Sequence, residues 1–112
     1  MAYDETLAEE VRRLLPRSQV VEKKMFGGIG FMLNGNMCAA VNNRPDHIMM
    51  VRIDPFDTQA LLKQGAKTAI MRGRLMPGWI FLTKEAIEKE EDFAYWVKKA
   101  LDFNKTLPAK RK

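Results

Sequence analysis

Apolar residues change rhythm several times along this chain, and each change marks an element. Leu7, Val11, Leu14 and Leu15 recur at helical spacing, which predicts a helix over residues 5–15 with one apolar stripe. Asp4 precedes it as a cap, because a carboxylate accepts the amide hydrogens that a first helical turn leaves unpaired, and Pro16 ends it. The rhythm then shortens to two. A strand over Val20–Met25 sets Val21, Lys23 and Met25 on one face and Val20, Glu22 and Lys24 on the other. Gly27-Gly28 breaks or bulges the chain before a second strand, Ile29–Leu33. Asn34-Gly35-Asn36 supplies the backbone freedom of a hairpin, and a third strand, Met37–Asn42, returns from it.

A polar loop over residues 43–47 leads into a fourth strand, Ile48–Ile53. Asp54-Pro55 then starts a helix, with the aspartate as cap and proline at the first helical position. Phe56, Ala60 and Leu61 are its expected buried face, and Gly65 closes it. Residues 66–78 read as irregular, and a fifth strand follows over Trp79–Thr83. Phe93, Trp96, Val97, Ala100 and Leu101 place a last helix, starting between Lys84 and Asp92. The order α-β-β-β-β-α-β-α makes this an α+β chain. No internal repeat or linker divides it, so residues 1–104 read as one domain.

Charge adds a second pattern. The net charge is +5, but residues 1–10 hold four acids and no base, whereas residues 11–74 hold eleven bases against four acids. Residues 105–112 form a basic tail that contains proline and is expected to be flexible. No apolar run approaches the ~20 residues of a membrane span. The N-terminus is acidic and then amphipathic, unlike a secretory signal, so a cytoplasmic setting is expected. The single Cys38 precludes an intramolecular disulfide, and with His47 as the lone histidine it precludes a Cys/His zinc cluster. Neither a metal nor a cofactor is expected. Cys38 sits in the apolar run Met37–Val41, where a small buried side chain is the ordinary reading.

Lys24-Met25-Phe26-Gly27-Gly28, the hydrophobic hairpin around Asn34-Gly35, and Met76-Pro77-Gly78-Trp79, in that order, resemble the TfoX N-terminal domain family. Arg52 at the end of the fourth strand and Trp96 in the last helix stand where that family has similar residues, and the resemblance runs from Leu7 to Phe103. It implies a two-layer domain in which helices pack on an antiparallel sheet. It also implies a link to the Sxy/TfoX regulators of bacterial competence genes, which carry a second, C-terminal domain of helix-hairpin-helix-like character. The resemblance concerns the N-terminal domain only and brings no catalytic residues.

Three function classes follow from the residues. A non-enzymatic regulatory or protein-contact module fits the methionine content, since methionine suits adaptable surfaces as well as irregular cores. Met49 and Met50 are adjacent in a strand and point to opposite faces. If both are buried, the second face is covered by the last helix, by residues 66–78 or by a second copy in a homodimer. Nucleic-acid binding is the alternative: Arg72 and Arg74 flank Gly73 near Trp79, with Arg52 as a further cation, and arginine meets phosphate while tryptophan stacks on bases. No helix-turn-helix, KH, RNP or zinc-finger pattern accompanies them. A small enzyme comes third, with His47 beside Asp46 as its one imaginable base, and no catalytic constellation supports it. Gly27, Gly28, Gly35, Pro77 and Gly78 read as shaping residues, because GGIG neither matches a phosphate loop nor precedes a helix.

Overall fold

The structure, a computed structural model, describes residues 5–16, 19–25, 27–44 and 47–108, with backbone only for Met25. Asp4, Phe26 and Asp46, named above, and residues 109–112 of the basic tail lie outside the described residues. Helix α1 (Glu5–Leu14) is followed by strands β1 (Val20–Met25), β2 (Gly28–Leu33), β3 (Asn36–Val41) and β4 (Met49–Arg52). Helix α2 (Thr58–Lys63), strands β5 (Lys67–Met71) and β6 (Arg74–Leu82), and helix α3 (Glu90–Asn104) complete the chain. The strands form one sheet in the order β1-β2-β3-β4-β6-β5, antiparallel at every junction. The α+β class and the antiparallel sheet are as the sequence predicts, with one strand more, β5, inside the stretch read as irregular.

Tight turns join the first three strands. Gly27 stands between Met25 and Gly28 at φ +74°, and Asn34-Gly35 links Leu33 to Asn36 with both residues at positive φ, the combination of a type I′ turn. Gly28 has a different reason to lack a side chain. A Cβ there would come within 2.0 Å of the Val41 carbonyl oxygen, so β2 and β3 can approach only because the position is bare. On β3 a bulge at Cys38 shifts the register between Phe31 and Met32, and Cys38 and Ala39 both join the core beneath the helices.

That core is the main one. Ile29 and Phe31 of β2, Val41 of β3, Met49 and Val51 of β4, and Ile80 and Leu82 of β6 pack under Leu7, Ala8, Val11 and Leu15 from the α1 region and Phe93, Trp96, Val97 and Ala100 from α3. Leu14, expected in the α1 stripe, is instead exposed at its margin, and Ala8 takes the inner place. Arg12 fastens α1 to the edge strand β1. Its guanidinium donates to both carboxylate oxygens of Glu22 (2.6 and 2.9 Å) and to Glu9 (2.7 Å). These carboxylates raise the pKa of Arg12 above its already high value. At the other end of the sheet's helical layer, Trp96 Nε1 donates to the Ala86 carbonyl (3.1 Å). Asn104 Nδ2 donates to Leu33 O (3.2 Å) and Asn36 Nδ2 to Pro108 O (3.0 Å), which ties the end of α3 and the residues after it to the β2–β3 hairpin.

The second helix departs from expectation. Residues 55–57 form a 3₁₀ turn, with the Asp54 carboxylate accepting the Phe56 amide (2.9 Å), and the α-helix begins only at Thr58. Phe56 and Leu61 are five residues apart, about 140° around an α-helix, so the face that buries Leu61 turns Phe56 and Ala60 outward. Leu61 is buried, whereas Ala60 is exposed and Phe56 is 95% exposed.

Met49 and Met50 are both fully buried, on opposite faces. Met50 belongs to a smaller cluster with Ala40, Ala69 and Phe81, against which Met71, Met76 and Trp79 pack. So of the three covers proposed for the second face, the segment over residues 66–78 contributes side chains directly. Gly28→Ala tests the tightness of the sheet: it is expected to cost about 3 kcal/mol or prevent folding, because the clash is with backbone. Gly27→Asn, at an open left-handed position, is expected to cost less than about 1 kcal/mol in the same urea unfolding measurement.

Candidate functional site at the tip of the second hairpin

Strands β5 and β6 pair as a hairpin whose ladder is interrupted once. Thr68 stands opposite Ile80, but the next pair is Ile70 with Leu75, so the single residue Ala69 faces four residues, Met76 to Trp79. This is a large bulge, and it is where the sequence carries Pro77 and Gly78. Proline cannot donate to a ladder, and Gly78 stands at φ +83°, which an L side chain rarely adopts. The bulge is anchored to the end of β4: the Ile53 amide donates to the Gly78 carbonyl (2.8 Å), and Pro55 lies against Gly78. Below the bulge, Ile80 and Leu82 serve the main core. Above it, the hairpin projects with Ile70 and Leu75 paired across the strands, 53% and 63% exposed.

The turn at the tip is Arg72-Gly73, both at positive φ (54° and 76°). The Asn34-Gly35 turn has nearly the same angles (54° and 80°), so the chain builds one geometry twice. Asparagine is among the residues that suit the left-handed position; arginine is not, and holding a side chain like arginine there costs about 1 kcal/mol. Arg72 and Arg74 are exposed, and among the described residues neither is in an ion pair. Residues 58–84 contain five bases and no acid, so no nearby carboxylate in sequence offsets them. Arg72, Arg74, Leu75, Met76, Pro77 and Trp79, with Met71, line an open concavity of about 540 Å³.

Three of the four candidate contact residues therefore meet at one place. Arg52 is the ladder partner of Trp79, but its guanidinium lies over the Phe103 ring of α3, 5.8 Å from the centroid, and does not line the concavity. The exposed pair Ile70 and Leu75 was not among the expected site residues. The signal for it in the sequence is weak: Gly73 punctuates two apolar stretches, but arginine before it is not a residue that marks a tight hairpin turn.

The residues considered for catalysis occupy other places. His47 is buried and stacks on Phe81 with ring centroids 3.6 Å apart and planes within 9°, while Asn42 Nδ2 donates to its Nε2 (3.2 Å). Cys38 is buried beneath the helices near the Phe31 carbonyl (3.5 Å), and burial pushes its thiol pKa up to about 11, away from a reactive thiolate. Among the described residues no three His, Cys, Asp or Glu side chains converge as a metal-binding group, and no helix is long and apolar enough to cross a membrane.

A single six-stranded antiparallel sheet that ends in a bulged hairpin, with helices packed on one face, defines a small α+β domain. The chain belongs to the TfoX N-terminal domain family, whose model matches residues 12–104. No curated protein matches it.

Arg72→Asn is expected to raise stability by about 0.5–1 kcal/mol, since asparagine relieves the strain of the left-handed position. Urea unfolding of the two proteins side by side reads the difference, and an unchanged or lowered midpoint contradicts the assignment of strain to Arg72.

Proposed function

We propose that this protein is a non-enzymatic regulatory module of the competence-regulator kind, acting through protein contact at the tip of the β5–β6 hairpin. Membership of the TfoX N-terminal domain family supports the regulatory class. The observation that carries the contact site is the exposed Ile70–Leu75 pair beside two arginines free of ion pairs among the described residues. Large apolar side chains held out on ordered strands lose the burial that would stabilise the fold, about 1.5–3 kcal/mol for each one fully covered. That energy is available on docking. Arginine and tryptophan beside them are the residue types enriched where interfaces are strongest.

The burial of His47 and Cys38 supports a non-enzymatic reading, since Cys38 belongs to the main core and His47 stacks on Phe81 of the second cluster. Nucleic-acid binding remains the second reading, supported by Arg72, Arg74 and Trp79 lining one concavity. The exposed apolar pair supports protein contact over nucleic acid, because a phosphate backbone gives Ile70 and Leu75 little to bury against.

A photo-crosslinking amino acid at position 75, introduced in the native cell, tests this. It is expected to capture a small set of proteins, and the capture is expected to vanish in an Arg72→Glu/Arg74→Glu background. Crosslinks to nucleic acid in place of protein, or the same capture in that background, would contradict it.

A further inference from the structure

β5 is the last strand of the sheet, so its outer edge has no neighbouring strand among the described residues. Strands left open in this way are usually guarded by short length, inward charges or proline, since unpaired amides and carbonyls invite another strand. The other edge, β1, carries Glu22, Lys23 and Lys24 in its middle. β5 reads Lys67-Thr68-Ala69-Ile70-Met71, with one charge at its start and an apolar end. Its guard is slight.

From this edge and its surroundings we infer that the hairpin binds an extended acidic–apolar peptide segment of a partner protein as a seventh strand on β5. The inference rests on the protein-contact reading above and adds the form and chemistry of the partner. A strand lying along β5 would place alternate side chains beside Ile70 on one face and beside Lys67 and Met71 on the other. Apolar residues on the first face extend the Ile70–Leu75 row. Acidic residues on the second meet Lys67 at one end and Arg72 and Arg74 at the other, in a stretch where residues 58–84 supply no acid of their own. Main-chain hydrogen bonds give such a complex its affinity, and the alternating side chains give its specificity.

Charge also argues against a second copy as the occupant. Pairing β5 with β5 of another molecule would bring together two sets of Lys67, Arg72 and Arg74. Pairing it with β1 would set those bases against Lys23 and Lys24, while the one acid of β1, Glu22, is held by Arg12. Like charges facing each other across strands are destabilising. An acidic partner meets the opposite condition on the same backbone.

The test uses the full chain and a synthetic peptide, acetyl-(Glu-Val)₄-amide, with three comparison probes. These are the (Lys-Val)₄ peptide, the (Glu-Val)₄ peptide methylated at every backbone nitrogen, and a dT₁₂ oligonucleotide. Amide chemical shifts and hydrogen exchange are followed by NMR. Binding of (Glu-Val)₄ is expected on the order of 0.1 mM. It is expected to slow exchange of the β5 amides that do not donate to β6, to weaken about tenfold in Arg72→Glu/Arg74→Glu and to weaken at high salt. Unchanged core amide shifts in that variant show that it folds, and Lys67→Glu provides an independent charge reversal at the other end of the strand. The (Lys-Val)₄ and methylated peptides are expected not to bind. If the methylated peptide binds equally well in an arginine-dependent manner, strand addition is overturned while the protein-contact reading survives. If only dT₁₂ binds and shifts the same hairpin amides, both fall. Silence from all probes overturns strand addition, as does a peptide-free dimer whose β5 amides are already protected, and in both cases the crosslinking result at position 75 still judges the contact reading.

Discussion

One residue of β5 faces four of β6, and the exposed surface of this domain depends on that mismatch. An uninterrupted ladder from Ile80 to the turn would carry the hairpin on as a plain continuation of the sheet. Instead Met76 to Trp79 stand opposite the single Ala69, while Trp79 still pairs with Arg52 of β4 and the Ile53 amide holds the Gly78 carbonyl at 2.8 Å. The backbone chemistry is specific to the segment. Pro77 has no amide to leave unpaired, and Gly78 takes a φ of +83° without a side-chain penalty. Met76 and Trp79, the outer members of the bulge, are then free to pack on the Met50–Phe81 cluster while Ile70 and Leu75 face outward. The same irregularity that closes the second core therefore exposes the tip.

Two parts of the sheet consequently work under different rules. Between β1 and β4, close approach dominates: Gly28 sits against the Val41 carbonyl, Arg12 bridges to Glu22, and Asn104 and Asn36 stitch the end of α3 to the β2–β3 turn. Each device favours a single rigid arrangement. At the β5–β6 tip the local choices run against stability. An arginine occupies a left-handed position that Asn34 fills in the sister turn, apolar side chains stand in water, and bases are grouped without acids. These local conflicts motivate the contact site proposed at the tip.

Much of this was legible in the residues. The β1 bounds, the Asn34-Gly35 turn and the α3 face of Phe93, Trp96, Val97 and Ala100 follow from period and turn chemistry, which act locally. The adjacent Met49 and Met50 correctly require cover on both faces, because alternation in a strand leaves no choice. Local pattern fails where a distant contact decides. Phe56 and Ala60 fit one helical face by spacing, but the short segment turns that face to solvent and buries Leu61, a choice that packing on the sheet makes. Residues 66–78 looked irregular because Met76-Pro77-Gly78 breaks any strand period, and only pairing with β5 on one side and Ile53 on the other shows a bulged strand. For the site, Arg72, Arg74 and Trp79 were visible as residue types. Their convergence on one concavity, and the departure of Arg52 to Phe103, depend on side-chain placement.

The central claim is that the bulge separates a rigid core from a projecting tip. Native-state hydrogen exchange of Gly78→Ala tests it most directly, since a Cβ at that position meets only ordinary contacts, at 3.5 Å to Ile53 O and Pro55 Cγ, and the cost is confined to backbone strain of about 1 kcal/mol. Amides of residues 70–75 are predicted to exchange at least about tenfold faster, while those of Met50, Val51 and Ile80 change no more than the global stability does. Equal acceleration at the tip and in the core would contradict the account, because the hairpin and the core would then open as one unit.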